Sequence, residues 1–191
     1  TIAAKFVEVL MQAGFPPETV AFLPGSGAAI GDALVKHPLT RFIAFTGSRD
    51  VGLRINALAA QHQPGQRWIK RVMAEMGGKD AIIVDAEADL AAAAQGVVAS
   101  AFGYSGQKCS ACSRAIVDAA VYDRFLEMIA ERTERLVVGS PEDPAVHMGP
   151  VINDKARKAI LGYIEKGLQE GRLLTGGGPA PGPGYFVEPT I

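Results

Sequence analysis

Short apolar runs, each followed by a glycine-bearing turn and then a helical stretch, recur along most of this chain. Val20 to Leu23 leads into GSGAAIG (Gly25 to Gly31) and a helix through Lys36, and Arg41 to Phe45 leads into Thr46-Gly47-Ser48 and a helix over Val51 to Ala60. Short apolar runs bounded by glycine read as strands, and longer stretches with apolar residues three and four apart read as helices. A strand that returns through a helix to lie beside its predecessor builds a parallel sheet. The expected fold class is therefore α/β.

The rhythm extends to both sides. Ala3 to Ala13 carries Phe6, Val7, Leu10 and Met11 at helical spacing, Gly14 ends it, and Pro16-Pro17 turns the chain. Trp68 to Ala74 reads as a strand running into EMGGKD (Glu75 to Asp80), and Ala81 to Val84 as another. Asp89 is placed to cap an alanine-rich helix from Leu90 towards Phe102. Ala115 to Val117 follows as a strand, then an amphipathic helix over Val121 to Leu136 with Tyr122, Phe125, Leu126 and Ile129 on one side. Lys155 to Glu170 is a last helix before the breaker-rich GGGPAPGPG (Gly176 to Gly184), and Phe186-Val187 leads into EPTI. The two halves read as different subdomains, 1–74 and 75–191. Because the chain opens on Thr1 inside a helix and stops at Ile191 where a strand begins, we expect a piece of a longer protein.

A net charge of −1 gives no electrostatic footprint for nucleic acid or an anionic membrane. The longest apolar runs are far shorter than a bilayer requires, and no basic n-region with a cleavage site marks a signal peptide. Two cysteines in such a chain suit a reducing compartment, the cytosol or, in a eukaryote, the mitochondrial matrix.

Both cysteines fall in SGQKCSACSR, Ser105 to Arg114. Cys109 follows Lys108 in a stretch whose glycine, glutamine and serines describe a turn, and nearby positive charge favours the reactive thiolate. Cys109 and Cys112 also have the spacing of a redox dithiol or of half a zinc site. Zinc needs about four ligands, and His37, His62 and His147 are scattered, so the ligand count argues against metal. Inert core packing is the plainer reading for Cys112. The glycine turns offer phosphate sites where helices begin after strands. GSGAAIG alone is one residue off the dinucleotide fingerprint, and Asp32 stands where a phosphate-loop lysine would be needed. The FTGS turn (Phe45, Thr46, Gly47, Ser48), with Gly52 beyond, offers hydroxyls and bare backbone at a second helix start, and ligands collect at strand carboxyl ends. Glu75, at a strand end beside two glycines, is placed to act in a cleft or to lie solvated on the surface.

Taken together and in order, FTGS with Gly52, EMGGK with Glu75 and GQKCSACSR with Cys109 resemble the NAD(P)-dependent aldehyde dehydrogenase superfamily. HMGPVIN (His147 to Asn153) and FVEPTI extend the resemblance over essentially the whole chain. The wording FTGSRDVGLRI and EMGGKDAIIVD, with Ser110 after the cysteine, is most similar to the branch acting on glutamate semialdehyde (1-pyrroline-5-carboxylate). The resemblance implies the end of a Rossmann-like parallel-sheet cofactor domain followed by most of an α/β catalytic domain. It implies Cys109 as nucleophile, Glu75 as general base and Ser110 as a holder of the substrate carboxylate. Gly25, Gly31, Phe45, Thr46, Gly47, Ser48 and Gly52 then belong to the cofactor side, for NAD or alternatively NADP. It further implies a small-molecule aldehyde as substrate and a homo-oligomeric parent. Against the family pattern, the chain lacks an upstream asparagine that assists the oxyanion, an upstream cofactor lysine, a downstream glutamate motif and an oligomerisation hairpin. Two other classes compete: a catalytically silent protein keeping this fold, and a thiol acyltransferase or hydrolase, the latter weakened because no histidine lies near Cys109 in sequence.

Overall fold

The computed structural model describes residues 2–191. They form two compact units, Thr1–Met76 and Gly77–Ile191.

In the first unit, α1 (Ile2–Gln12) is followed by α2 (Asp32–Lys36), β1 (Phe42–Thr46), α3 (Arg49–Ala59) and β2 (Arg71–Glu75). β1 and β2 pair in parallel, with Phe42 opposite Arg71 and Thr46 opposite Glu75. Both strands alternate exposed and half-buried positions, the period-two pattern of a sheet with one covered face. α3 is the crossover between them and packs on β2 and on α2. Trp68 fixes the entry to β2: its indole N–H donates to the Thr40 carbonyl at 3.2 Å, and the Arg41 guanidinium lies 4.8 Å from its ring centre. Ladder pairing begins at Arg71 and not at Trp68.

Two expectations need correction here. Val20 to Leu23 forms no strand; Val20 is extended (φ −133°, ψ 109°), but the segment lies outside the β1–β2 ladder, and a strand exists only with a partner. GSGAAIG does not open directly into an α-helix: Gly27–Gly31 makes a single π-type turn, capped where Ser26 Oγ accepts from the Ala29 N–H, before the short α2 begins.

In the second unit, β3 (Asp80–Val84) leads to α4 (Leu90–Phe102), β4 (Cys112–Val117), α5 (Tyr122–Glu134) and α6 (Asp154–Glu170). β3 and β4 are again parallel, Asp80 opposite Cys112 and Val84 opposite Val117, with an irregularity between Asp80 and Ala81. Asp89 caps α4 by accepting from the Ala91 and Ala92 N–H groups at 3.0 and 3.1 Å. Alanine favours the helix and leaves little bulk, so α4 packs on both strands and on α5, with Ala94 fully buried. Val84, Leu90, Val97, Val98, Cys112, Phe125 and Ile129 complete the core. Towards the end, Leu174 N–H donates to the Ile191 carbonyl and Ile191 N–H to the Thr175 carbonyl, yet EPTI adopts no regular strand among the described residues.

Phe125 and Ile129, one helical turn apart, carry the buried face of α5, whereas Tyr122 remains 46% exposed. Phe125→Ala should therefore lower the unfolding free energy by about 3–5 kcal/mol, and Tyr122→Ala by less than about 1 kcal/mol. Denaturant melts of the two variants check this, and similar losses would place the core elsewhere.

Candidate active site

Parallel pairing brings the ends of β1 and β2 to one edge. Glu75 stands opposite Thr46, and the Gly47 N–H donates to the Glu75 carbonyl at 3.0 Å. The FTGS turn and the exposed Glu75 are thus held together by the sheet itself. Ser48 caps α3, its Oγ accepting from the Val51 N–H at 3.4 Å. The Arg49 and Asp50 N–H groups, in the first turn, lie outside the helical ladder at the positive end of its dipole. Space at this turn is shaped by two glycines. A Cβ on Gly47 would lie 2.5 Å from the Phe45 ring, and one on the buried Gly52 would lie 2.8 Å from Met76 Sδ. The turn is therefore bare backbone with the Phe45 ring folded against it.

The first glycine turn is organised separately. Gly25 and Gly31 flank the π-type turn, and α2 beyond it has only five residues, so its dipole is small. α2 is braced to α3 by a two-point contact: Arg54 Nε donates to Asp32 Oδ1 at 3.0 Å and Nη2 to Oδ2 at 2.5 Å. The Arg54 guanidinium holds the Asp32 carboxyl below its ordinary range. Lys70 adds a tie the sequence reading missed, its ammonium donating to the Val35 carbonyl at 2.6 Å in the last turn of α2. Lys70 is buried, which pushes its pKa down.

In the second unit, α4 gives way to a turn in which three successive residues are left-handed: Tyr104 (φ 58°), Ser105 (φ 54°) and Gly106 (φ 68°). For the two non-glycine residues this costs roughly 1–2 kcal/mol each. Local contacts offset part of it: the Gln107 N–H and its side-chain amide both donate to the Tyr104 carbonyl, and Ser105 Oγ donates to the Gly149 carbonyl at 3.2 Å. Ser105 is the second residue sequence reasoning missed, because its partner lies in the distant HMGPVIN segment. The reversal delivers Cys109 and Ser110 to an exposed loop closed by the Ala111 N–H donating to the Lys108 carbonyl.

Cys112 is placed quite differently. It opens β4 inside the core, its N–H donating to Ser100 Oγ at 3.1 Å and its thiol to the Arg114 carbonyl. Both thiols are free, one exposed and one buried. Among the described residues no three His, Cys, Asp or Glu side chains gather in a cluster that would hold a metal ion. Under native conditions iodoacetamide should label Cys109 and spare Cys112. Peptide mass spectrometry reads this directly, and preferential labelling of Cys112 would contradict the arrangement.

Comparison with known proteins gives the family and the fold. The family model described as "Aldehyde dehydrogenase family" matches residues 1–191. A 1-pyrroline-5-carboxylate dehydrogenase of Geobacillus thermodenitrificans is 60% identical over 190 residues, covering all of this chain and 37% of that protein. The chain thus spans well under half the length of such relatives. A solved structure of 1-pyrroline-5-carboxylate dehydrogenase from Thermus with bound NAD superposes with a TM-score of 0.93 at 51% identity, over 98% of this chain and 36% of that one. Proline utilization A from Bdellovibrio bacteriovorus superposes with a TM-score of 0.95 at 46% identity, over 99% of this chain and 20% of that one. With its parallel α/β units and its glutamate and cysteine turns in this order, the chain belongs to the aldehyde dehydrogenase family.

Proposed function

We propose that this chain carries the thiol, the general base and part of the cofactor site of an NAD-dependent dehydrogenase that oxidises L-glutamate 5-semialdehyde to glutamate. The observation that carries the reading is the contrast between the two cysteines: Cys109 exposed on the loop that follows the left-handed turn, Cys112 sealed in the core. The named relatives support the substrate, and the Thermus structure supports NAD as cofactor, with NADP the alternative.

The residue types suit the chemistry. An aldehyde carbon gives up hydride only after a nucleophile has made it tetrahedral, and the Cys109 sulfur adds to it in that role. When bound, the nicotinamide ring supplies the hydride acceptor. Gly47, Ser48 and Gly52, with Phe45 and Thr46 on the same turn, would hold the cofactor, and Gly25 and Gly31 would contribute from the other glycine turn. The Cys109 backbone N–H is one donor to the oxyanion of the adduct. Oxidation leaves a thioester on Cys109, and Glu75 takes a proton from the water that hydrolyses it. Ser110, next to the nucleophile, donates a hydrogen bond to the substrate carboxylate, which an apolar residue would leave desolvated and unpaired.

In the full-length enzyme, Cys109→Ala should abolish aldehyde-dependent NAD reduction, followed at the nicotinamide absorbance band, and Cys112→Ala should retain most of it. Full activity in Cys109→Ala would end the assignment. Ser110→Ala should weaken binding of glutamate semialdehyde by about 1.5–3 kcal/mol, roughly 10- to 150-fold, and leave an uncharged aldehyde of similar length little affected. Equal losses for the two aldehydes would remove the reason for choosing this substrate.

A further inference from the structure

The two glycines of EMGGKD are not equivalent. A Cβ built on Gly77 meets nothing within 4 Å, whereas one built on Gly78 lies 2.7 Å from the carbonyl oxygen of Cys109. Its other close neighbours, Asp80 Oδ2 and Oδ1 at 3.0 and 3.4 Å, belong to a carboxylate that can rotate aside. A main-chain carbonyl in a closed loop has no such freedom. Two further ties run between the same stretches: Arg114 Nη2 donates to the Lys79 carbonyl at 2.7 Å, and Ser113 Oγ donates to the Asp80 carbonyl at 3.3 Å. Immediately beyond, Asp80 stands opposite Cys112 in the parallel ladder. The backbone from Gly78 to Asp80 is therefore laid along the loop from Cys109 to Arg114.

We propose that Gly78 is a positioning residue for the Cys109 loop, its bare Cα fixing the Cys109–Ser110 peptide and so the relation of the thiol to the Ser110 hydroxyl. This rests on the reading of Cys109 as nucleophile and Ser110 as carboxylate holder. The Cys109 carbonyl and the Ser110 nitrogen share one rigid plane. Turning that carbonyl away from a methyl group changes the backbone torsion of Cys109 and carries Ser110 with it. Both groups that must meet the substrate, one at its aldehyde carbon and one at its carboxylate, then move out of register. Arg114 holds the same alignment from the other side through the Lys79 carbonyl.

The test uses the full-length enzyme with Gly78→Ala and, as a second variant without added bulk, Arg114→Gln. A misplacement of this kind should lower kcat with glutamate semialdehyde by about 10- to 100-fold in Gly78→Ala and by roughly 3- to 10-fold in Arg114→Gln. NAD affinity, measured by fluorescence titration, should stay within about twofold, and the rate of Cys109 alkylation by iodoacetamide should change at least threefold by the same misplacement. A folded Gly78→Ala enzyme with kcat and alkylation rate both within about threefold of wild type overturns the proposal. If Gly78→Ala does not fold, Arg114→Gln decides, and unchanged kcat and alkylation there overturn it equally. Failure of the underlying reading is separable, because it shows as activity retained in Cys109→Ala, whereas the alkylation rate reports loop placement whatever the reaction is.

Discussion

Parallel strand pairing is the constraint from which the rest of this structure follows. It sends the carboxyl ends of both partners to one edge, where neither can be joined to the other by a tight hairpin. The chain leaving β1 must turn immediately into a helix, and bare backbone with a capping serine does this at Gly47 and Ser48. The same pairing sets Glu75 opposite Thr46 and ties the two by the bond from the Gly47 N–H to the Glu75 carbonyl. Glu75 and the glycine-serine turn thus come to lie side by side as a consequence of sheet geometry. In the second unit, β3 and β4 run parallel too, and α4 is the crossover that makes this pairing attainable. The cysteine turn is the end of that crossover, where the chain must reverse before it can enter β4.

The reversal is strained, and the packing around it explains why it persists. Tyr104 and Ser105 occupy a conformation that side chains ordinarily avoid. On one side α4 is anchored by Ala94, Val97 and Val98, and on the other Cys112 is anchored in the same core. Burying a side chain such as Phe125 contributes on the order of 2–3 kcal/mol, so a few such contacts exceed the local cost of the turn. Two cysteines three positions apart therefore serve opposite ends, one holding the loop down and the other displayed by it.

Much of this was legible in the sequence, for identifiable reasons. Glycine after a short apolar run marked the turns, Asp89 before an alanine run marked a helix start, and the polar setting of Cys109 against the usual burial of a free cysteine at Cys112 separated the thiols. Other features were not legible. Val20 to Leu23 has the composition of a strand, but composition carries no information about a pairing partner. Lys70 falls inside the stretch Trp68 to Ala74 that reads as a strand, and only the fold shows its ammonium buried against the Val35 carbonyl. Nothing in Tyr104-Ser105 announces left-handed backbone, since neither residue type favours it. The bond from Ser105 to Gly149 joins segments 44 positions apart, and no local pattern encodes such a contact.

The most direct test of the thiol and glutamate as partners in one reaction is to stop it halfway. In a full-length Glu75→Gln enzyme mixed with NAD and glutamate semialdehyde, the thioester should form on Cys109 and fail to hydrolyse. A burst of about one reduced cofactor per site would then be followed by slow turnover. Mass spectrometry of the quenched enzyme should find the glutamyl acyl group on the peptide containing Cys109. No adduct on that peptide, together with unchanged turnover, would contradict both roles at once.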